Sequence, residues 1–124
     1  MNKTQKLLDA VIEGMTEKKA KNIVNINFKG TKNAVSDYFM ICEVSTDKQV
    51  AAVSDSVEEF VFKNTKEKPI HKEGIENSEW VILDYFDVIV HIFNTEFRES
   101  YKLEELWADA EITKIDVKYS SIEN

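Results

Sequence analysis

Apolar positions along the chain change their period several times, and each change marks an element. Leu7, Leu8, Val11, Ile12 and Met15 recur at the three-to-four spacing of one helix face, and Thr4 ahead of them is suited to cap that helix. The charged run Lys18-Lys19-Ala20-Lys21 suits a helix C-terminus. From Asn22 to Phe28 the period falls to two, with Val24, Ile26 and Phe28 alternating with Asn, as in a strand. Gly30 to Asp37 is polar and predicts a turn. Tyr38 to Val44 is an apolar run of the kind a central strand shows when both its faces are buried.

Helical spacing returns with Val50, Val53, Val57, Phe60 and Val61, behind the capping residues Ser45-Thr46-Asp47, and Lys68-Pro69 breaks the pattern. Ile70-His71-Lys72 predicts a short edge strand before Gly74. Trp80 to Tyr85 and Asp87 to Phe93 predict two more strands. Their link at Tyr85-Phe86 is too short for a crossover helix, so they should form a hairpin. Val88, Val90 and Ile92 then share one face, and Ile89, His91 and Phe93 the other. Short helical segments follow around Thr95–Tyr101 and Leu103–Trp107. The sum is an α/β fold: one domain over residues 1–110, with a mixed β-sheet flanked by helices. Residues 111–124 form a C-terminal extension that either adds a weak strand or stays loose.

Composition narrows the partners. The chain has 124 residues, 16 of them basic and 23 acidic, for a net charge of −7. Nucleic-acid binding needs Lys and Arg against phosphate, so no sequence-specific nucleic-acid partner is expected. A basic protein surface is the better electrostatic match. Cys42 is the single cysteine, so no internal disulfide and no cysteine-based zinc site can form. Its neighbours Met40, Ile41 and Val44 predict a buried thiol. The first residues lack an apolar signal core, and no apolar run approaches the roughly 18 residues of a membrane span. A cytoplasmic chain with no membrane partner is expected.

Candidate chemistry is sparse. Asp84 and Asp87 flank the predicted hairpin turn, where paired carboxylates can hold a divalent cation. A small metal-dependent nucleotidyl- or phosphotransferase would use them, but it would also need a phosphate-binding loop, and none of the glycine-rich patterns is present. Solvation of a hairpin end explains both Asp equally well. His71 and His91 are too few for a histidine metal site, and His91 between apolar neighbours predicts a hydrogen-bonded core or interface residue. Ser45 lacks a nucleophile setting and reads as a cap. Neither catalysis nor a cofactor is expected. The stretch Phe97 to Trp107 packs Phe, Tyr, Leu, Leu and Trp among charges, a composition shared by a lid on the sheet and by a protein-binding hot spot.

The order of these segments resembles that of the RsfS/Iojap family of ribosomal silencing factors. Asp37-Tyr38-Phe39-Met40-Ile41-Cys42 followed by Ser45-Thr46-Asp47-Lys48-Gln49-Val50 is similar to its strand-to-helix signature. Trp80 to Tyr85 and Asp87 to Phe93 resemble its hairpin, with Glu73-Gly74 ahead of them. Arg98-Glu99, Tyr101, Leu103-Glu104 and Leu106-Trp107-Ala108-Asp109-Ala110 resemble its C-terminal signature. Three positions depart from the family pattern. Glu43-Val44 stands where a small Ser/Thr-Gly pair is usual, Phe86 where a hairpin Gly is usual, and Asn94-Thr95 where a His-Pro is usual. The first two are expected to alter loop shape, because Gly reaches backbone angles that Val and Phe resist.

The resemblance implies a nucleotidyltransferase-like topology without the catalytic residues. It implies binding to the large ribosomal subunit through its fourteenth protein, steric exclusion of the small subunit, and lowered translation in starvation or stationary phase. It also implies a homodimer when free. Aromatic and acidic residues make the expected partner-binding set Trp80, Asp84, Tyr85, His91, Tyr101, Leu103, Glu104 and Trp107.

Overall fold

The chain begins with helix α1 (Lys3–Glu17), and its cap is Asn2 rather than Thr4. The Asn2 side chain accepts the Gln5 N–H at 2.7 Å, so the helix starts one residue before Thr4 and takes Thr4 into its first turn. Strand β1 (Lys21–Asn27) turns back antiparallel along β2 (Tyr38–Val44). The connection closes where the Phe28 N–H donates to the Asp37 carbonyl at 2.8 Å. Helix α2 (Asp47–Thr65) opens with a full capping box: the Thr46 hydroxyl accepts the Gln49 N–H at 3.1 Å, and the Gln49 side chain accepts the Thr46 N–H at 3.1 Å. It ends at Lys66, which adopts left-handed geometry. Then come β3 (His71–Glu73), β4 (Trp80–Asp84), β5 (Val88–Asn94), α3 (Thr95–Tyr101) and β6 (Glu111–Lys114).

This architecture is that of a computed structural model describing residues 2–31, 36–101, 110–117 and 119, with the side chains of Ser100 and Tyr101 not described. The expected helical segment at Leu103–Trp107 lies outside the described residues. The six strands form one mixed sheet in the order β3-β4-β5-β2-β1-β6. Among the described residues only β2 and β5 run parallel, from Tyr38 opposite Val88 to Val44 opposite Asn94. The hairpin is antiparallel, with Trp80 opposite Phe93 and Asp84 opposite Ile89. For the C-terminal extension, residues 111–114 pair with β1.

Two helices cover one face. From that face Met40, Cys42, Val81, Leu83, Val88, Val90 and Ile92 pack under Leu7, Val11 and Met15 of α1 and Val50, Val53 and Val57 of α2. The helices approach so closely at Gly14 that a Cβ there would lie 2.6 Å from the Val57 Cα, and the Ser56 hydroxyl donates to the Gly14 carbonyl at 2.8 Å. Burial pushes the Cys42 thiol far above its ordinary range, as expected of an inert structural cysteine.

The departures from the family pattern take on definite roles. Glu43 and Val44 belong to β2 itself, so they do not reshape a loop, contrary to the sequence expectation. Glu43 instead forms a largely buried ion pair with Arg98 of α3 at 3.2 Å. Arg98 also donates to the Asn22 carbonyl at 2.7 Å, which ties α3 to the sheet. At Asn94-Thr95 the Asn94 side chain accepts the Glu96 N–H at 3.0 Å and donates to Asp47 at 2.8 Å, joining the starts of α3 and α2.

Candidate functional site

Alternation along β4 and β5 divides the hairpin between two faces. Val81, Leu83 and Tyr85 point under the helices with Val88, Val90 and Ile92. Trp80, Ile82 and Asp84 point to the opposite face with Ile89, His91 and Phe93, and the register sets Ile82 opposite His91. This second face has a smaller buried cluster, made of Val24, Ile26, Phe28, Phe39, Ile41 and Phe93. Phe97 of α3 packs against it, as do Trp80 and Ile89. Trp80, Ile82, Asp84 and Ile89 remain only half-buried, which leaves part of the hairpin's outer face open.

His91 is the centre of this face. Its ring lies 4.5 Å from Phe39 and 5.9 Å from Trp80, measured between centroids. The Trp80 indole N–H donates to His91 Nδ1 at 3.0 Å. Indole nitrogen can only donate, so Nδ1 is unprotonated and the proton of the neutral ring sits on Nε2. Burial lowers the His91 pKa to about 3. Nε2 is buried without a hydrogen-bond partner among the described residues, a costly arrangement for a donor. Trp80 stacks on Phe93 at 4.9 Å, so one tryptophan both fixes the imidazole and roofs the aromatic cluster.

The structure therefore brings together Trp80, Asp84 and His91 of the expected set. It separates Tyr85 from them: that ring is 3% exposed on the helix-covered face, because its odd position in β4's alternation turns it inward. Burial, followed by the Glu58 and Glu67 carboxylates, raises the Tyr85 hydroxyl well above its ordinary range. Tyr101 ends α3, and Leu103, Glu104 and Trp107 lie outside the described residues. The expected partner-binding set left out Ile82 and Ile89, although alternation had already placed Ile89 on the face of His91 and the register adds Ile82.

Asp84 has a structural task, since its Oδ1 accepts the Phe86 N–H at 2.8 Å and holds the hairpin turn. Among the described residues no group of three His, Cys, Asp or Glu side chains is placed to hold a metal ion. No helix among them is long and apolar enough to cross a membrane. What remains is a shallow aromatic and aliphatic strip beside acidic groups, the composition of a protein-contact surface.

Comparison with known proteins gives this face its context. The family model described as "Ribosomal silencing factor during starvation" matches residues 1–124. A ribosomal silencing factor from Halalkalibacterium halodurans is 35% identical over 115 residues, covering 90% of this chain and 94% of the relative. The Bacillus subtilis silencing factor is 35% identical over 100 residues, covering 81% and 83%. A crystal structure from Bacillus halodurans superposes with a TM-score of 0.74 at 32% identity, over 91% of this chain and 99% of that one. A Chromobacterium violaceum crystal structure gives 0.79 at 24% identity, over 99% and 100%, a likeness of fold. With an α/β mixed sheet and helical flanks in common with these structures, the chain belongs to the ribosomal silencing factor family.

Proposed function

We propose that this chain acts by binding rather than by catalysis, docking on the large ribosomal subunit through that subunit's fourteenth protein. A docked chain covers the face where the small subunit joins, and translation falls while it stays there. The observation that carries this reading is the family match along residues 1–124. Two features of the chain support it. The net charge of −7 suits a basic ribosomal protein, and opposite charges speed encounter. The half-buried Trp80, Ile82 and Ile89, beside the Asp84 carboxylate and backed by His91, supply apolar anchors with surface still open to solvent. The working location is the cytoplasm, where ribosomes are, and the free chain pairs as a homodimer.

Co-sedimentation with purified large and small subunits tests the reading. The chain should pellet with large subunits, stay in solution with small ones, and bind more weakly as salt screens the charges. Equal pelleting with both subunits, or with neither, contradicts it.

A further inference from the structure

The tip of the β4–β5 hairpin carries an apolar side chain that the fold does not require. Phe86 is 72% exposed and has φ of +74°. Around it the Asp87 N–H donates to the Tyr85 carbonyl at 3.0 Å, a bond from one residue to the second one back. With positive φ at the middle residue, this is the rarer and strained form of the γ-turn. A bulky side chain disfavours that backbone region, whereas glycine enters it freely. The turn's other bonds run from the Phe86 N–H to the Asp84 carboxylate at 2.8 Å and from the Tyr85 N–H to the Val88 carbonyl at 2.9 Å. None of them uses the phenyl ring. Phe86 therefore adds strain and exposed apolar surface, and neither helps the chain to fold.

Ile70 stands at the same end of the sheet. Its N–H donates to the Asp84 carbonyl at 2.8 Å, and its side chain is 69% exposed. The two most exposed large hydrophobics among the described residues thus share one end of the sheet. Carboxylates stand at that end as well, together with Lys29, whose Nζ lies 5.4 Å from the Tyr38 ring centroid. Asp84 and Asp87 flank Phe86, and the Asp37 N–H donates to the Asp87 carbonyl at 3.1 Å. Phe86 lies two residues beyond Asp84, the last residue of β4, so the tip adjoins the end of the half-buried strip.

We propose that Phe86, with Ile70 at the same end of the sheet, is a specificity anchor at the end of the docking surface, and that it enters an apolar cleft in a basic protein surface of the large subunit. The inference rests on the docking reading above and names a further contact within it. The phenyl ring selects a cleft, and the carboxylates around it select a basic rim.

The full chain with Phe86→Gly, and separately with Phe86→Asn, tests the assignment, since both residues accept positive φ. Thermal unfolding and affinity for purified large ribosomal subunits are measured on each. Release of the strained turn should raise the unfolding midpoint by about 4 °C. Loss of the anchor should weaken binding about tenfold. A merely structural residue cannot move stability up and affinity down together. Ile70→Ser should also weaken binding, by a smaller factor and without unfolding the chain. If both Phe86 variants bind as tightly as the wild type while Trp80→Ala does not, docking stands and the anchor is overturned. If the wild-type chain itself fails to bind large subunits, the docking reading falls and the anchor with it.

Discussion

The two faces of the sheet are built from the same strands and are packed differently. Under α1 and α2, Val81, Leu83, Val88, Val90 and Ile92 are fully buried among other aliphatic side chains. On the other side, one residue along each strand, Trp80, Ile82, Asp84 and Ile89 are half-buried, and the His91 Nε2–H has no hydrogen-bond partner among the described residues. Close packing explains every residue of the first set. The second set mixes aromatic, aliphatic and polar side chains, most of them only half-buried, and under the proposed function it is the surface that meets the partner. Full and partial burial are thereby separated by a single step in the strand alternation.

That separation makes graded predictions. The largest effect belongs to the covered face, where Ile92→Ala should lower unfolding free energy by about 3–4 kcal/mol in chemical denaturation. Its neighbour on the opposite side gives a different signature. His91 stays neutral when folded because burial lowers its pKa to about 3, whereas the unfolded side chain titrates near its ordinary 6.5. The unfolded state therefore takes up the proton first as pH falls, and this contribution to stability is present above pH 6.5 and is lost between 6.5 and 3. By pH 5 the loss should reach about 2 kcal/mol relative to pH 7. His91→Phe should remove that slope, and an unchanged slope in the variant would place the acid sensitivity elsewhere.

Trp80→Ala is the test of recognition. It should weaken binding to large subunits by about 2 kcal/mol, roughly thirtyfold, with a smaller loss of stability than Ile92→Ala. If it destabilises the chain as much as Ile92→Ala does, the two faces are not functionally distinct. The smallest effect is expected at Ile82→Ala, within about 1 kcal/mol in stability because the side chain is only half-buried. Its binding should still fall measurably.

Much of the covered face was legible in the sequence. Helical spacing placed Val50, Val53 and Val57 in the core, and the unbroken run from Tyr38 to Val44 marked the central strand. The hairpin followed from a link too short for anything else. Local side-chain chemistry was harder to place. Asn2 and Thr4 are both competent caps, and which one serves depends on where the backbone first turns. Glu43 looked like a loop-shaping departure because its partner Arg98 is 55 residues away, and a long-range ion pair leaves no local pattern. Tyr85 entered the expected set as an aromatic residue, although neighbours on a strand face opposite ways and Asp84 already lay on the outer one. The outer face showed as aromatic composition, but the pairing of Trp80 with His91 required the register.

Subunit joining tests the central claim most directly. Large subunits are incubated with the chain before small subunits are added, and light scattering follows the formation of whole ribosomes. Joining should fall in proportion to the fraction of large subunits occupied. Excess small subunit should partly restore it, because two ligands competing for one face each lower the other's apparent affinity. Added to assembled ribosomes, the chain should act only as fast as they dissociate. Full occupancy of the large subunit with an unchanged rate and extent of joining would contradict steric silencing by this chain.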